Sequence, residues 1–167
     1  MNVQEKYQRL EDTVCQYNPG ANFDLIHAAF VYAEAHHRGQ NRKDGSPFIT
    51  HPLAVAQIVA QELHLDSESI AAALLHDTIE DTDATHEDIA RTFSPTIADI
   101  VEGVSKLTRV QAASKAEEQM ENLRKMLLAM SKDIRVILIK MADRLHNMRT
   151  MEYQTPEKQK QKSLETM

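Results

Sequence analysis

The segment HDTIED at residues 76–81 places one histidine and three carboxylates within six residues, directly after the apolar run AAALL. On a helix, His76 and Glu80 are i, i+4 neighbours, as are Asp77 and Asp81. An imidazole nitrogen and a carboxylate oxygen can bind one cation, and this mixed donor set suits a divalent metal such as Mn, Fe, Co or Zn. The alternative is a helix C-terminus with solvated acids, although acidic groups are disfavoured at that end of a helix.

A further carboxylate, Asp143, follows a long apolar stretch near the end of the chain. Asp143, Asn147 and Thr150 are spaced i, i+4, i+7, which places them in one polar stripe on a helix. A buried ionised carboxylate is costly unless it is paired or bound to a metal. Asp143 is therefore expected either to bind a metal or to pair with a neighbouring cation: Lys140, Arg144 or Arg149.

His51 follows a turn-rich loop and lies at a predicted helix start. A lone histidine is weak evidence for a metal site. The evidence is stronger for His51 because His76, Asp77 and Asp143 can complete a ligand set with it. Two histidines and two carboxylates from three helices would leave coordination positions open for water and substrate, as a catalytic metal requires. His146 is interpreted as a structural or surface histidine and not as a ligand.

The elements that must position these residues are predicted to be helices. The chain has only four Gly and five Pro, and its apolar residues follow a helical spacing nearly throughout. Caps and turn residues predict a helix from Asn22 to Arg38-Gly39, a loop at 41–47, a helix from His51-Pro52 to Leu63, a third from Asp66 or Ser67 through Asp81, a short helix from Thr85 or His86 to Thr92, and a helix from Ser94-Pro95 to Val104.

The remaining sequence also has a helical pattern. Residues 114–130 are charged and strongly helical in spacing, and Ser131 is a predicted N-cap for the helix that carries Asp143. That helix has an amphipathic apolar stripe, and further apolar residues in its first half predict a central position in the fold. The stripe consists of Ile134, Ile137, Leu138, Met141, Leu145 and Met148.

Composition limits the class of protein. A length of 167 residues predicts one domain large enough to bury a core without disulfides, and the single cysteine, Cys15, suits a reducing compartment. No apolar run is long enough to span a membrane, and the N-terminus lacks a secretory signal, so we expect a cytoplasmic protein with no membrane partner. The net charge of -6 argues against direct nucleic-acid binding.

The order H…HD…D is similar to that of the HD phosphohydrolase superfamily, and three longer stretches resemble one branch of it. HRGQNRKDGSPFITHPLAVA, AALLHDTIEDT and NLRKMLLAMSKDIRVILIKMADRLHNMRTM resemble the RelA/SpoT homologue family, the (p)ppGpp synthetase/hydrolases of the bacterial stringent response. The resemblance implies an all-α, HD-domain helical bundle. It also implies that residues 1–167 form one hydrolase domain, and the end of the chain fits an N-terminal fragment excised from a longer enzyme.

The resemblance also implies roles for individual residues. One Mn²⁺ ion would be bound by His51, His76, Asp77 and Asp143. Hydrolysis would need the acidic pair Glu80 and Asp81. The spacing does not identify which of the two is the base. Substrate phosphates and the nucleotide would contact Arg42, Lys43, Asn147 and Thr150. The chain departs from the family at Phe48, where tyrosine is common.

The implied activity is Mn-dependent hydrolysis of the 3′-pyrophosphate of (p)ppGpp, giving GDP or GTP and pyrophosphate. Two alternatives stay open: an HD phosphohydrolase for another nucleotide, and an HD-fold regulatory nucleotide-binding module with little turnover. Long family members continue with a synthetase domain and C-terminal regulatory domains, which would be partners of this domain in a full-length protein. No synthetase activity is expected from this chain.

Overall fold

A computed structural model describes residues 2–42, 45–112 and 133–151, except for the side chains of residues 107–112, 150 and 151. Across these ranges the chain forms eight helices and no β-strand, which confirms the predicted all-α class. No helix in the described ranges is both long and apolar enough to cross a bilayer. The helices are α1 (Val3–Tyr17), α2 (Phe23–His37), α3 (Thr50–Leu63), α4 (Ser67–Leu75), α5 (Thr78–Asp81), α6 (His86–Thr92), α7 (Pro95–Ala112) and α8 (Ile134–Met151).

Helix α4 is the centre of the core. Its residues from Ile70 to Leu75 are all fully buried, and α2, α3 and α7 pack around it. The run Ala71-Ala72-Ala73 presents only methyl groups, so the neighbouring helix backbones can approach closely. The residue that follows α4 is His76, and the central helix therefore ends at the candidate site.

Three predicted helix starts are confirmed by cap hydrogen bonds. The side chain of Asn22 accepts from the backbone N–H of Leu25, and Ser94 Oγ accepts from that of Ile97. Thr85 forms a capping box with Asp88. Each cap satisfies an amide that the first helical turn would otherwise leave unpaired.

Helix α1 is not among the predicted helices, because most of residues 3–17 are charged or polar. Three of its residues, Tyr7, Leu10 and Val14, are buried, and α1 packs along α3. Their spacing of i, i+3, i+7 is the signal that identifies one apolar face on this helix.

The predicted helix through Asp81 is interrupted at His76 and Asp77, so that α4 ends at Leu75 and α5 begins at Thr78. Two carbonyls of the last turn of α4 accept from side chains: Ala73 from His76 Nδ1 at 2.6 Å, and Leu75 from Thr78 Oγ1 at 2.7 Å. Such local side-chain bonds compete with the helical ladder. Two other boundaries also differ, since α3 begins at Thr50 and α7 continues beyond Val104 to Ala112.

The predicted apolar stripe of α8 is not its buried face, which corrects the sequence analysis. Met141 and Met148 are 61% and 63% exposed, and Ile134 and Leu145 are also exposed. The buried side of α8 carries Val136, Ile139, Lys140, Ala142 and Asp143. Periodicity misidentified the face because a buried ion pair lies among the apolar residues of the true inner side.

Helix α7 meets α8 at Gly103, where a glycine is required by close packing. A Cβ atom at this position would lie 2.8 Å from Val136 Cγ2 and 3.2 Å from Cγ1. We expect Gly103→Ala to destabilise the fold by about 1–3 kcal/mol, because the β-branched Val136 cannot easily move away. Urea unfolding measures the change.

A double variant provides the control for this packing prediction. Val136→Ala removes both clashing methyl groups, so Gly103→Ala should cost less in that background than in the wild type. Alanine is a better helix former than glycine by about 1 kcal/mol. If Gly103→Ala alone stabilised the protein by that amount, the predicted clash would be contradicted.

Candidate active site

The break after α4 fixes the first histidine of the site. His76 is buried, and its Nδ1 donates a hydrogen bond to the carbonyl of Ala73. The other ring nitrogen, Nε2, lies 3.1 Å from Asp77 Oδ2 and 3.3 Å from Asp143 Oδ1. A backbone partner on one nitrogen that orients the other is the usual arrangement for a metal-binding histidine.

The three remaining predicted ligands converge on the same point. His51, in the first turn of α3, places Nε2 2.6 Å from Asp143 Oδ1 and 3.6 Å from Asp77 Oδ2. One ligand atom from each of His51, His76, Asp77 and Asp143 lies within 4.8 Å of all the others. Two imidazole nitrogens and two carboxylate oxygens at this separation fit a single divalent cation of the Mn-to-Zn group. The structure therefore brings together all four residues that the sequence analysis grouped.

Charge within the cluster is balanced over short distances. Burial opposes ionisation of Asp143, but hydrogen bonds from His51 and His76 hold its pKa below the usual range. Burial also opposes protonation of His76, yet Asp77 and Asp143 raise the pKa of its imidazole well above its ordinary value. A proton on His76 and a divalent cation are thus alternative ways to balance the same two carboxylates.

Asp143 uses its two oxygens differently. Oδ1 faces the two histidines, whereas Oδ2 accepts a hydrogen bond from Lys140 Nζ at 2.9 Å. Both side chains are nearly buried. The two explanations considered for Asp143, a metal ligand and an ion pair with a neighbouring cation, are therefore compatible. Lys140 fixes the orientation in which Oδ1 points into the cluster.

His146 is a site residue whose role the sequence analysis did not identify. Its Nδ1 lies 2.7 Å from Nδ1 of His51, and the two rings stack with centroids 4.9 Å apart. Burial, together with the nearby His51 and Arg42, lowers the pKa of His146 to about 4. If a cation takes the place of the Nε2 proton that His51 donates to Asp143, a neutral His146 can accept the Nδ1 proton of His51, and Nε2 then serves as a ligand. The available signal was its position three residues after Asp143 on one helix.

The acidic pair lies on α5, just beyond the cluster. Glu80 accepts a hydrogen bond from Ser105 Oγ of α7 at 3.0 Å. Partial desolvation, followed by repulsion from Asp77 and Glu80, raises the pKa of Asp81 to about 6. The two acids are therefore distinguished by their surroundings, since Glu80 is bonded to α7 and Asp81 has a raised pKa.

The loop between α2 and α3 brings one predicted substrate residue to α8. Arg42 Nη2 lies 3.3 Å from Asn147 Oδ1, which joins two of the four residues predicted to contact substrate. Gly45, at φ +88°, allows the tight return in which Arg42 N–H donates to the carbonyl of Ser46. Lys43 and the side chain of Thr150, the other two, lie outside the described residues.

A second group of possible metal ligands lies at the surface. His86, Asp99 and Glu102 also place ligand atoms within 4.8 Å of one another. All three are partly or largely solvent-exposed, and Lys106 lies 3.8 Å from Glu102. Solvent screens such a group strongly, so the buried cluster is the stronger candidate centre.

The chain is similar to a known protein family and to several curated proteins. The family model described as HD domain matches residues 29–167. The chain is 49% identical over 163 residues to "GTP pyrophosphokinase" of Myxococcus xanthus, covering 96% of this chain and 21% of that protein. It is 47% identical over 161 residues to "Bifunctional (p)ppGpp synthase/hydrolase SpoT" of Escherichia coli, covering 96% of this chain and 23% of that protein. The chain thus spans about a fifth of the length of these curated relatives.

A solved structure shares the fold. It is that of a metazoan orthologue of SpoT that hydrolyses ppGpp, and it superposes with a TM-score of 0.63 at 31% sequence identity. The match covers 82% of this chain and 78% of the solved one.

Proposed function

Because the chain belongs to the HD domain family, and within it to the RelA/SpoT homologues, we propose that it hydrolyses the 3′-pyrophosphate of (p)ppGpp. The products would be GDP or GTP and pyrophosphate. The observation that carries the proposal is the buried cluster of His51, His76, Asp77 and Asp143. The substrate is highly anionic and the protein is acidic, so a bound cation would supply the local positive charge that the phosphates require.

The proposed metal is one Mn²⁺ ion, held by the four residues of the cluster. When bound, it would supply positive charge to the phosphorus oxygens and lower the pKa of a water molecule. Mixed nitrogen and carboxylate donors suit Mn²⁺, and binding would require His76 to lose its proton. The chain's own contribution is to hold the ligand atoms in place, through Ala73 for His76, His146 for His51 and Lys140 for Asp143.

In the proposed reaction, the oxygen of water bonds to the phosphorus joined to ribose O3′, and the bond between that phosphorus and O3′ breaks. Asp81 accepts a proton from the water, and the ribose oxygen gains one as pyrophosphate leaves. The raised pKa of Asp81 suits it to accept this proton, and we therefore assign it as the base. Glu80, bound to Ser105, would hold α5 in position.

The remaining roles are proposed from the family pattern. Arg42 and Lys43 would bind substrate phosphates, because a guanidinium can grip two phosphate oxygens at once. Asn147 and Thr150 would line the nucleotide site, and the contact between Asn147 and Arg42 supports a shared role. A cytoplasmic location, and a synthetase domain with regulatory domains as partners in a longer protein, are proposals of the same kind.

Incubation of the purified chain with ppGpp and Mn²⁺ tests the proposed activity. The expected result is release of GDP and pyrophosphate that stops on chelation of the metal. Turnover of other nucleotides but not ppGpp would favour a different HD phosphohydrolase. Binding of ppGpp and metal without turnover would favour a regulatory nucleotide-binding module.

Asp81→Asn is expected to lower kcat by about a hundredfold or more and to leave metal binding intact, because only the proton acceptor is removed. Glu80→Gln should also keep the metal and lose rate, but by a smaller factor, since glutamine can still accept from Ser105. In the wild type, kcat should fall as the pH drops through about 6, where Asp81 becomes protonated. A kcat–pH profile of each variant checks these expectations.

Asp83→Asn is the matched control for this pair, because Asp83 is an exposed acid two residues after Asp81. It should retain the wild-type rate and pH profile. If Asp81→Asn kept full activity while Glu80→Gln lost it, the assignment of the base would have to be reversed.

A further inference from the structure

A cavity of about 560 Å³ opens beside the metal cluster, between α1, α3, α8 and the loop after α2. Its lining includes four cationic side chains from three different parts of the chain: Lys6 and Arg9 of α1, Arg42 of the loop, and Arg149 of α8. Glu62 is the one acidic residue in the lining. The cavity therefore has a strong positive excess within a protein whose net charge is -6.

Three of these cations are available to bind a ligand. Within the part of the chain that the structure describes, Lys6, Arg9 and Arg149 have no carboxylate within 4 Å, unlike Arg38 and Arg91, which form local ion pairs. Lys6 is half-buried. Positive side chains that gather in a concave site without acidic partners attract anions and raise their local concentration.

The cavity and the metal cluster share a wall. His146 lines the cavity, and its ring stacks on His51, whose Nε2 faces the cluster on the other side. Arg42 also lines the cavity and contacts Asn147. None of the four predicted metal ligands, nor Glu80 or Asp81, belongs to the lining. The cavity thus lies next to the reacting centre but is separate from it.

Given the proposed function, we propose that this cavity binds the 5′-phosphate chain of the same nucleotide, and that Lys6 and Arg9 discriminate between substrates by the number of 5′ phosphates. A nucleotide with its 3′-pyrophosphate at the cluster carries a second anionic group that needs a cationic site nearby. Arg42, at the junction of the two spaces, would contact the substrate between its two phosphate groups. Gln57 and Gln61 of α3 add polar groups to the wall beside α1.

The double variant Lys6→Gln/Arg9→Gln tests this proposal. Steady-state kinetics would be measured with guanosine 3′-diphosphates that carry one, two or three phosphates at the 5′ position. We expect KM to rise by about tenfold for the 5′-triphosphate, less for the 5′-diphosphate and little for the 5′-monophosphate. The value of kcat should stay unchanged, because neither residue lies at the reacting phosphorus. An Arg38→Gln/Arg91→Gln variant, which removes two exposed cations outside the cavity, should change none of these values.

An equal rise in KM for all three substrates would overturn the proposal. It would indicate that Lys6 and Arg9 attract any anionic nucleotide through their charge and do not recognise the 5′ phosphates. An unchanged KM would overturn it as well. Calorimetric titration with GMP, GDP and GTP measures the same discrimination without turnover. If the wild type hydrolysed nothing, the proposed function would fail, while the titrations would still decide between binding and no binding at Lys6 and Arg9. Thermal melts of each variant control for loss of folding.

Discussion

Asp143→Ala is expected to abolish divalent-metal binding and to lower hydrolysis of ppGpp by about a thousandfold or more. The substitution removes one of four ligands, and with it the several kcal/mol of charge stabilisation that a catalytic metal supplies. It also removes the oxygen to which both His51 and His76 are bonded, so the two histidines lose their common partner. Metal content after dialysis, together with initial rates, measures the two effects.

The same change also affects stability, and this must be separated from the loss of the metal. Lys140 is nearly buried and would lose its ion pair with Asp143, and removal of one half of a buried pair costs about 3–5 kcal/mol. The variant Asp143→Ala/Lys140→Met removes both charges, so it should recover stability without recovering metal binding or activity. Recovery of metal binding by this double variant would contradict the ligand assignment.

Asp99→Ala serves as the matched control, because Asp99 belongs to the exposed group with His86 and Glu102. It should leave both the tightly bound metal and the rate unchanged. If Asp143→Ala retained full metal occupancy and Asp99→Ala lost it, the centre would have to be placed at the surface group instead.

Leu74→Ala is expected to lower the free energy of unfolding by about 3 kcal/mol, a large part of the about 5–15 kcal/mol that stabilises a typical domain. Leu74 is 0% exposed, in the middle of the helix around which α2, α3 and α7 pack. The lost side chain would leave a cavity that these helices cannot fully close. Urea denaturation followed by circular dichroism measures the change.

Leu63→Ala is the matched control for the core prediction. It makes the same chemical change at a helical position that is 37% exposed, and should cost about 1 kcal/mol or less. Similar midpoints for the two variants would contradict the central position of α4. Because no described hydrogen bond joins Leu74 to the cluster, Leu74→Ala should not change divalent-metal binding by the folded protein.

The helical class and the four clustered residues were predictable because the signals are local or chemical. Asn22, Thr85 and Ser94 are strong capping residues followed by helical spacing. The grouping of the four residues could be predicted because two histidines and two carboxylates are a donor set typical of a divalent-metal site. The convergence of His51 and Asp143 across 92 residues depends on the fold and is found only in the structure.

The incorrect predictions have a common physical cause, which is that bonds of polar side chains decided the structure where the sequence analysis relied on apolar spacing. The break at His76 arises because a histidine ring and a threonine hydroxyl take up carbonyls of α4. The inner face of α8 was misassigned because Lys140 and Asp143 satisfy each other within an apolar surface. His146 has only one local signal, its position three residues after Asp143, because its role depends on contact with His51.

The wide separation of the four clustered residues along the chain also has a consequence for protein synthesis. His51, His76 and Asp77 leave the ribosome long before Asp143, which closes the cluster from α8. A nascent chain therefore exposes three of the four clustered residues while the fourth is still untranslated. Completion of the centre coincides with docking of the last described helix, so an incomplete translation product cannot assemble the site from its own residues.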